Sequence, residues 1–194
     1  MKNKWIIIIL PIVVMLILFI QINVSNNTQG EVVTNIQDEI DEMKNIDIQN
    51  IPRESANFDT EIIIYDFSDG RISFEVTVFH PKIEMNQVIV SAFLGDAILS
   101  NINTPHSLVS NVLAVKNNKN KEFGKAFNMG PNTEIKGISA GNSMVYFSNS
   151  KLNDVLKDLP YILVKVSWLD SKNKPMVEYI KYPQDKYMIK TKRS

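Results

Sequence analysis

The feature that most constrains this chain is an uninterrupted apolar run at its N-terminus. From Trp5 to Ile20 the sequence has no charged or polar residue, and Ile22 and Val24 extend the run. A helix rises about 1.5 Å per residue and therefore needs about 20 apolar residues to cross the hydrocarbon core of a bilayer. We expect residues 5–24 to form a single transmembrane helix that anchors the rest of the chain.

A cleaved secretory signal is the alternative interpretation of this run. Such signals have an apolar core of about 7–15 residues and end at a small-residue cleavage site. The run here is longer, and residues 21–30 place Asn or bulky side chains where a signal peptidase needs small ones. The chain has no Cys, which excludes lipid attachment at a cleavage-site cysteine. The prediction is therefore an uncleaved anchor or signal.

The flanking charges predict the orientation of the anchor. Lys2 and Lys4 precede the run, and the next basic residue is Lys44. Positive charge remains on the cytoplasmic side, so residues 1–4 are expected as a short cytoplasmic end and the remainder as extracytoplasmic. The absence of Cys and the richness in Ile, Asn and Lys are typical of a Gram-positive bacterial envelope protein. We expect a single-pass protein of the cell membrane.

An acidic juxtamembrane linker is predicted over residues 25–57. Val33, Ile36, Ile40 and Met43 are spaced as one stripe of a short amphipathic helix, with acidic residues on its other face. A dimerising coiled-coil stalk would also show this spacing. The pattern lasts only about two heptads, fewer than a sustained coiled coil needs. A short helix within a solvated linker is therefore the favoured interpretation.

From Phe58 onward the hydrophobic pattern changes to the period of β-strands. Residues 61–67 and 71–78 flank the turn signal Ser68-Asp69-Gly70 and predict a hairpin. Further strands are predicted up to residue 182, with one short helix over residues 152–159. The sequence predicts an all-β, antiparallel β-sandwich of about seven to eight strands over residues 58–185, followed by a basic tail, residues 186–194. The residues expected to share its core are Ile72, Phe74, Val76, Val90, Ile162, Val164, Val166 and Trp168.

Residues 140–182 carry a resemblance to a known architecture. A short helical crossover leads into a strand that begins at Tyr161 and contains Trp168, and this strand returns in a hairpin. The segment resembles the end of an immunoglobulin-like or fibronectin III-like sandwich. The resemblance implies a fold and no particular activity.

The composition excludes several kinds of chemistry. Without Cys there is no thiol nucleophile and no Cys-based metal site. His80 and His106 are the two histidines, both beside prolines, and no Gly-x-Ser-x-Gly elbow presents a serine to either. No glycine-rich phosphate loop occurs. We predict no catalytic, cofactor-binding or metal-binding residues and no cofactor, and therefore a protein that is not an enzyme.

The charges are unevenly distributed along the chain. Residues 26–115 contain 14 acidic and 4 basic residues, whereas residues 116–194 contain 15 basic and 7 acidic residues. Such asymmetry is typical of a surface that meets a polyanion, although mixing of the two halves in one fold would remove it. The candidate polyanion contacts lie on one predicted hairpin turn: Lys116, Lys119, Lys121 and Lys125. Few aromatic residues accompany them, so no nucleic acid partner is predicted.

These observations favour a non-catalytic binding or interaction module of the bacterial envelope. Its expected partners are the membrane, through residues 5–24, and an unknown envelope protein or an anionic wall polymer. The first alternative is a structural or accessory subunit of a larger envelope complex. The second alternative is an envelope enzyme of unrecognised type.

Overall fold

Two five-stranded sheets form most of the computed structural model of this chain. The structure describes residues 36–115, 121–124, 126–147 and 149–192, which belong to one unit that spans residues 34–194. The prediction of an all-β chain is confirmed. The elements, in chain order, are α1 (Ile36–Lys44), β1 (Asp59–Phe67), β2 (Arg71–Phe79), β3 (Met85–Phe93), β4 (Ile102–Asn103), β5 (Leu108–Ser110), β6 (Val112–Val115), β7 (Lys121–Gly124), β8 (Phe127–Met129), β9 (Gly137–Tyr146), α2 (Leu152–Lys157), β10 (Tyr161–Leu169), β11 (Pro175–Pro183) and β12 (Met188–Lys192).

The order of the strands defines the two sheets. Sheet 1 has the order β12-β1-β2-β9-β4, and sheet 2 has the order β11-β10-β3-β5, with β8 also paired to β3. Strands β6 and β7 form a separate two-stranded hairpin. Short 3₁₀ turns at Ile48–Asn50, Asp96–Ser100 and Gln184–Lys186 lie in the connections.

The predicted hairpin at the start of the β region is confirmed. Strands β1 and β2 pair antiparallel, with Ile64 opposite Phe74 and Asp66 opposite Ile72. Gly70 closes the turn with φ of +85°, a backbone conformation that side chains with a Cβ rarely adopt. Its amide donates to the carbonyl of Phe67 at 3.2 Å. The turn therefore sets the register that places the apolar residues of both strands on the same face.

The inner faces of the two sheets share one apolar core. All eight residues that the sequence predicts for this core belong to the same buried cluster, so that prediction is confirmed. The alternation of β2 is directly visible, because Ile72, Phe74, Val76 and Val78 are each 0% exposed. At one end of the core the rings of Phe58 and Trp168 meet edge to face, with their centroids 6.1 Å apart. Such aromatic pairs add to the stabilisation that area burial alone provides.

The segment predicted as a solvated linker packs against the sandwich. Helix α1 occurs where the stripe predicts it, and Ile40 and Met43 are buried in a cluster with Leu108 and Leu163 on the outer face of sheet 2. The compact unit therefore begins before residue 58, which differs from the predicted boundary. Of the predicted stripe, Val33 lies outside the described residues, and Ile40 and Met43 cover part of the outer face of sheet 2.

The C-terminal segment also differs from its prediction. Residues 188–192, expected as part of a basic tail, form β12 and pair in parallel with β1, with Ile63 opposite Met188 and Phe67 opposite Lys192. Every residue of β12 is exposed. Because neither face of β12 is buried, its sequence does not show the alternation of apolar and polar residues that predicts a strand. Its backbone pairing with β1 holds it in place.

The predicted cytoplasmic end, residues 1–4, and the predicted membrane anchor, residues 5–24, lie outside the described residues. Within the part of the chain that the structure describes, no helix combines the length and apolar character that crossing a bilayer requires.

Candidate binding cleft

A polar cleft of about 360 Å³ opens beside β1. Its walls come from the segment that precedes β1, the first residues of β1, the loop after β2 and the turn after β11. Phe58 and Tyr182 contribute aromatic surface to it. The polar and charged side chains that line it include Arg53, Glu54, Asp59, Thr60, Lys82 and Lys186. The volume lies within the range of about 300–1,000 Å³ that is usual for small-ligand pockets.

The segment that precedes β1 is fixed to the edge of sheet 2. The amide of Lys181 donates to the carbonyl of Pro52 at 2.9 Å. The hydroxyl of Ser55 donates to Glu178 at 2.6 Å, and the side-chain amide of Asn57 donates to the same carboxylate. The amide of Lys82 donates to the carbonyl of Asn57 at 2.8 Å, which brings the loop after β2 to the same place. The walls of the cleft are therefore held by a hydrogen-bonded backbone.

Two ion pairs fix most of the charges in the cleft. Lys186 and Glu54 are 2.6 Å apart, and this contact lowers the pKa of Glu54 and raises the pKa of Lys186. Asp59 lies 3.7 Å from the ammonium of Lys82 and 3.0 Å from Nδ1 of His80. The carboxylate of Glu54 therefore has one cationic partner, and the carboxylate of Asp59 lies beside an ammonium and an imidazole nitrogen.

Two groups in the lining have no such partner within the described part of the chain. The guanidinium of Arg53 makes no ion pair with any described residue. The hydroxyl of Thr60 is buried and makes no hydrogen bond there. The oxygen of Thr60 is shielded from solvent, so it is an unsatisfied polar group behind the surface of the cleft, and such a group costs free energy.

A second polar cluster lies under α1. The ammonium of Lys165 contacts Glu39 at 2.9 Å and Glu42 at 2.7 Å, and the hydroxyl of Tyr179 donates to Glu42. Burial by itself lowers the pKa of Lys165, but its hydrogen bonds to Glu42 and Glu39 reverse this and raise it. Burial raises the pKa of Glu42, and the bonds from Lys165 and Tyr179 outweigh that effect, so its pKa is lowered. This cluster is saturated by its own members and holds α1 on the sheet.

The two histidines lie in different loops, His80 after β2 and His106 between β4 and β5. His80 is exposed at the end of β2 and contacts Asp59. His106 accepts a hydrogen bond at Nδ1 from the amide of Leu108 at 3.4 Å. Across residues 36–115, 121–124, 126–147 and 149–192, no group of three or more His, Asp or Glu side chains could hold a metal ion.

The predicted polyanion contacts are only partly within the described residues. Lys116, Lys119 and Lys125 lie outside them. Lys121 begins β7, where its backbone pairs with Val115. The proposal that these four lysines contact a polyanion therefore stays a prediction.

The basic residues of the cleft escaped the sequence analysis. Arg53, Lys82 and Lys186 come from three loops that are far apart in the chain, and no spacing rule connects them. Each is a basic residue in a connecting segment, which is common for ordinary surface residues.

Among known proteins, this chain is similar only distantly to a few solved structures among those compared. No protein family model matches this sequence, and no curated protein matches it. Among solved structures, a GH20 exo β-N-acetylglucosaminidase from Vibrio harveyi in complex with N-acetylglucosamine is similar, with 9% identity and a TM-score of 0.40. An inactive mutant of that enzyme gives 7% identity and a TM-score of 0.39.

A third similar structure is Spo0M, a sporulation control protein from Bacillus subtilis, at 7% identity and a TM-score of 0.25. The match covers 70% of this chain and 50% of that one. The two glycosidase matches cover 69% of this chain but only 18% of the enzyme. These similarities are too distant to carry a functional argument.

Proposed function

We propose that this protein is a membrane-anchored, extracytoplasmic binding module of the bacterial envelope, without catalytic activity. The observation that carries the proposal is the polar cleft beside β1, about 360 Å³ in volume. Its walls are fixed by backbone hydrogen bonds, and its lining keeps a guanidinium without an ion-pair partner in the described part of the chain. A preformed site of this kind binds a ligand without a large ordering cost.

We further propose that the fold is immunoglobulin-like or fibronectin III-like. The strand order of such domains is A-B-E-D in one sheet and G-F-C, with an added C′ in some types, in the other. The orders β1-β2-β9-β4 and β11-β10-β3 correspond to A-B-E-D and G-F-C and support the proposal. Strand β5 pairs with β3 as a C′ strand would, but it follows β4 in the chain and is therefore an addition to the pattern. Strand β12 is an addition to it. Domains of this architecture commonly serve as binding modules, which is an argument from analogy.

The membrane anchor at residues 5–24 remains part of the proposal on the evidence of the sequence. With the N-terminus inside, the sandwich lies outside the cell membrane. Added protease should degrade the sandwich in intact cells whose wall has been removed. In cells without added protease, the intact protein should be found in the membrane fraction. Release of a soluble form that begins near residue 25 would indicate a cleaved signal.

The alternative function, an accessory subunit of an envelope complex, draws support from exposed apolar side chains. Val145 and Phe147 lie near the end of β9 and are 51% and 46% exposed. Neighbouring exposed apolar residues of this kind are a common feature of protein–protein contacts. This interpretation requires a protein partner that co-purifies in a fixed ratio.

Sedimentation with purified Gram-positive cell wall tests the binding function. The full chain in detergent micelles should be retained by intact wall, and less by wall from which the anionic polymers have been extracted. Changing Arg53 and Lys82 together to Gln should reduce retention, whereas changing Lys172 and Lys174 to Gln, outside the cleft, should leave it unchanged. Changing the four predicted lysines, Lys116, Lys119, Lys121 and Lys125, to Gln tests the other candidate surface.

The outcomes separate the two functions. No retention by any wall preparation, together with a co-purified envelope protein in fixed ratio, would favour the accessory subunit. If the wall retains all three sets of variants equally, neither candidate surface binds the wall.

A further inference from the structure

We infer that the outer edge of β12 is an interaction surface, where an extended acidic segment of a partner protein pairs with sheet 1 as an added strand. The inference goes beyond the proposed wall-binding function. It follows from three properties of β12: an open backbone edge, exposed apolar side chains and two lysines without an ion-pair partner in the described part of the chain.

The first property is the open backbone edge. Strand β12 ends sheet 1 and, among the described strands, pairs with β1 alone. The carbonyl of Lys192 accepts from the amide of Ser68 at 3.2 Å, so the backbone of Lys192 faces β1. Because backbone groups of successive strand residues point to opposite sides, those of Ile189 and Thr191 face outward. An extended peptide can pair with these groups through its own N–H and C=O groups.

The second property is the apolar surface beside this edge. All five residues of β12 are exposed, and Met188 and Ile189 are 42% and 45% exposed. In the register with β1, Met188 lies opposite Ile63 and Ile189 lies opposite Ile64. Their side chains therefore lie on opposite faces of the sheet. A strand added at this edge would cover part of both side chains, which favours its binding.

The third property is the charge of the edge, which selects the partner. The side chains of Lys190 and Lys192 lie on the face of sheet 1 that carries Tyr65, and the ammonium of Lys192 is 4.0 Å from the centroid of the Tyr65 ring. Neither lysine makes an ion pair with a described residue, and β12 contains no acidic residue.

These lysines argue against a second copy of β12 as the partner. Like charges that face each other across two strands are destabilising, whereas opposite charges are stabilising. Lysines on an edge strand deter pairing with an identical edge for this reason. Lys190 and Lys192 are two residues apart, so they match a strand with acidic residues at every second position.

Fluorescence anisotropy of a labelled synthetic peptide, with the full chain in detergent micelles, tests the inference. The probe is a capped peptide in which glutamate and valine alternate. It should bind about tenfold more tightly than a peptide of the same composition with adjacent glutamates, because only alternation places the carboxylates on the face of the lysines. N-methylation of one alternate set of amides should abolish binding, and methylation of the other set should leave it, because a strand pairs with one neighbour through every second residue.

Variants of β12 test the same surface from the protein side. Lys190→Glu combined with Lys192→Glu should weaken binding of the probe about tenfold and should create binding of a peptide with lysine in place of glutamate. Thr191→Pro removes an outward N–H, which an edge strand tolerates, so binding should fall while the thermal midpoint is retained. Lys172→Glu combined with Lys174→Glu, in the exposed turn after β10, is the matched control and should bind like the parent protein.

The inference is overturned if the alternating peptide does not bind, because the lysines would then only protect an exposed edge. It is also overturned if both arrangements of glutamate bind alike, if the two N-methylated peptides bind alike, or if charge reversal at residues 190 and 192 has no more effect than at residues 172 and 174. Retention by cell wall is a separate measurement, so any of these results leaves the proposed function intact.

Discussion

The outer faces of the two sheets differ in what covers them. On sheet 1, strand β2 presents Ser73, Glu75 and Thr77 at intermediate exposure, and its burial alternates along its length. On sheet 2, strand β10 is buried on both faces over most of its length, because α1 packs on the outer one. Leu163 is 1% exposed and Lys165 is 9% exposed there.

The difference shows that alternation in a sequence identifies the inner face of a strand but does not tell whether the outer face is exposed or covered. Both strands have apolar residues at every second position, and both bury those residues in the shared core. A lysine at an alternate position of β10 suggests solvent, yet Lys165 is buried against Glu39, which is only 3% exposed. The buried ion pair is possible because each charge has a partner within hydrogen-bonding distance.

The largest expected effect comes from the core that both sheets share. Trp168→Ala should lower the free energy of unfolding by about 3–5 kcal/mol, because it leaves a cavity and removes the ring contact with Phe58. Chemical denaturation of the full chain in micelles measures the change. Lys172→Ala, in the exposed turn after β10, is the control, and equal midpoints for the two variants would contradict the observed core.

The second-largest change in the free energy of unfolding is expected at the covered outer face of sheet 2. Lys165→Met should lower the free energy of unfolding by about 3 kcal/mol, because it leaves the buried carboxylate of Glu39 without a partner. Glu75→Gln, on the open face of sheet 1, should change it by no more than about 0.5 kcal/mol.

A double variant sharpens this test. Lys165→Met combined with Glu39→Gln should recover most of the lost stability, since no unpaired charge remains buried under α1. Glu42 is about half exposed and can be solvated. A double variant that is less stable than Lys165→Met alone would show that the ion pair itself, and not the unpaired charge, decides the result.

The covered face should also give the protein a pH dependence. The pKa of Glu42 is lowered, so its contribution to stability is present above its ordinary value of 4.5 and is lost as the pH falls through the lowered value. The pKa of Lys165 is raised, so its contribution is present below 10.5 and is lost as the pH rises through the raised value. Between these limits the contribution of the cluster should be constant. In chemical denaturation across this pH range, Glu42→Gln should lose less of its free energy of unfolding in acid than the parent protein does. Equal losses in acid would contradict a stabilising role of the Glu42 carboxylate in the cluster.

The smallest effect belongs to the open face. Thr77 and Ser139 share a hydrogen bond of 2.8 Å across strands β2 and β9 on the exposed side of sheet 1. Thr77→Val should change the free energy of unfolding by no more than about 0.5 kcal/mol, because water replaces the lost partner. A change as large as that of Lys165→Met would mean that this face is covered too.

Much of the strand framework was predictable because it depends on local patterns. The turn Ser68-Asp69-Gly70 and the period-two alternation of β2 define a hairpin without any knowledge of the rest of the chain. The first half of β9 is difficult to predict from the sequence, since Gly137 and Gly141 weaken its strand pattern. The cleft was missed for a different reason, because its basic residues come from loops that only the fold brings together.

The sequence by itself determined the β character of the chain, the inner faces of its main strands and the short amphipathic helix. These properties follow from side-chain periodicity, which each segment carries within itself. The tertiary structure alone decided that α1 covers sheet 2, that β12 pairs in parallel with β1 and that Arg53, Lys82 and Thr60 line one cleft. These arrangements depend on contacts between residues distant in the chain, and such contacts leave no regular spacing in the sequence.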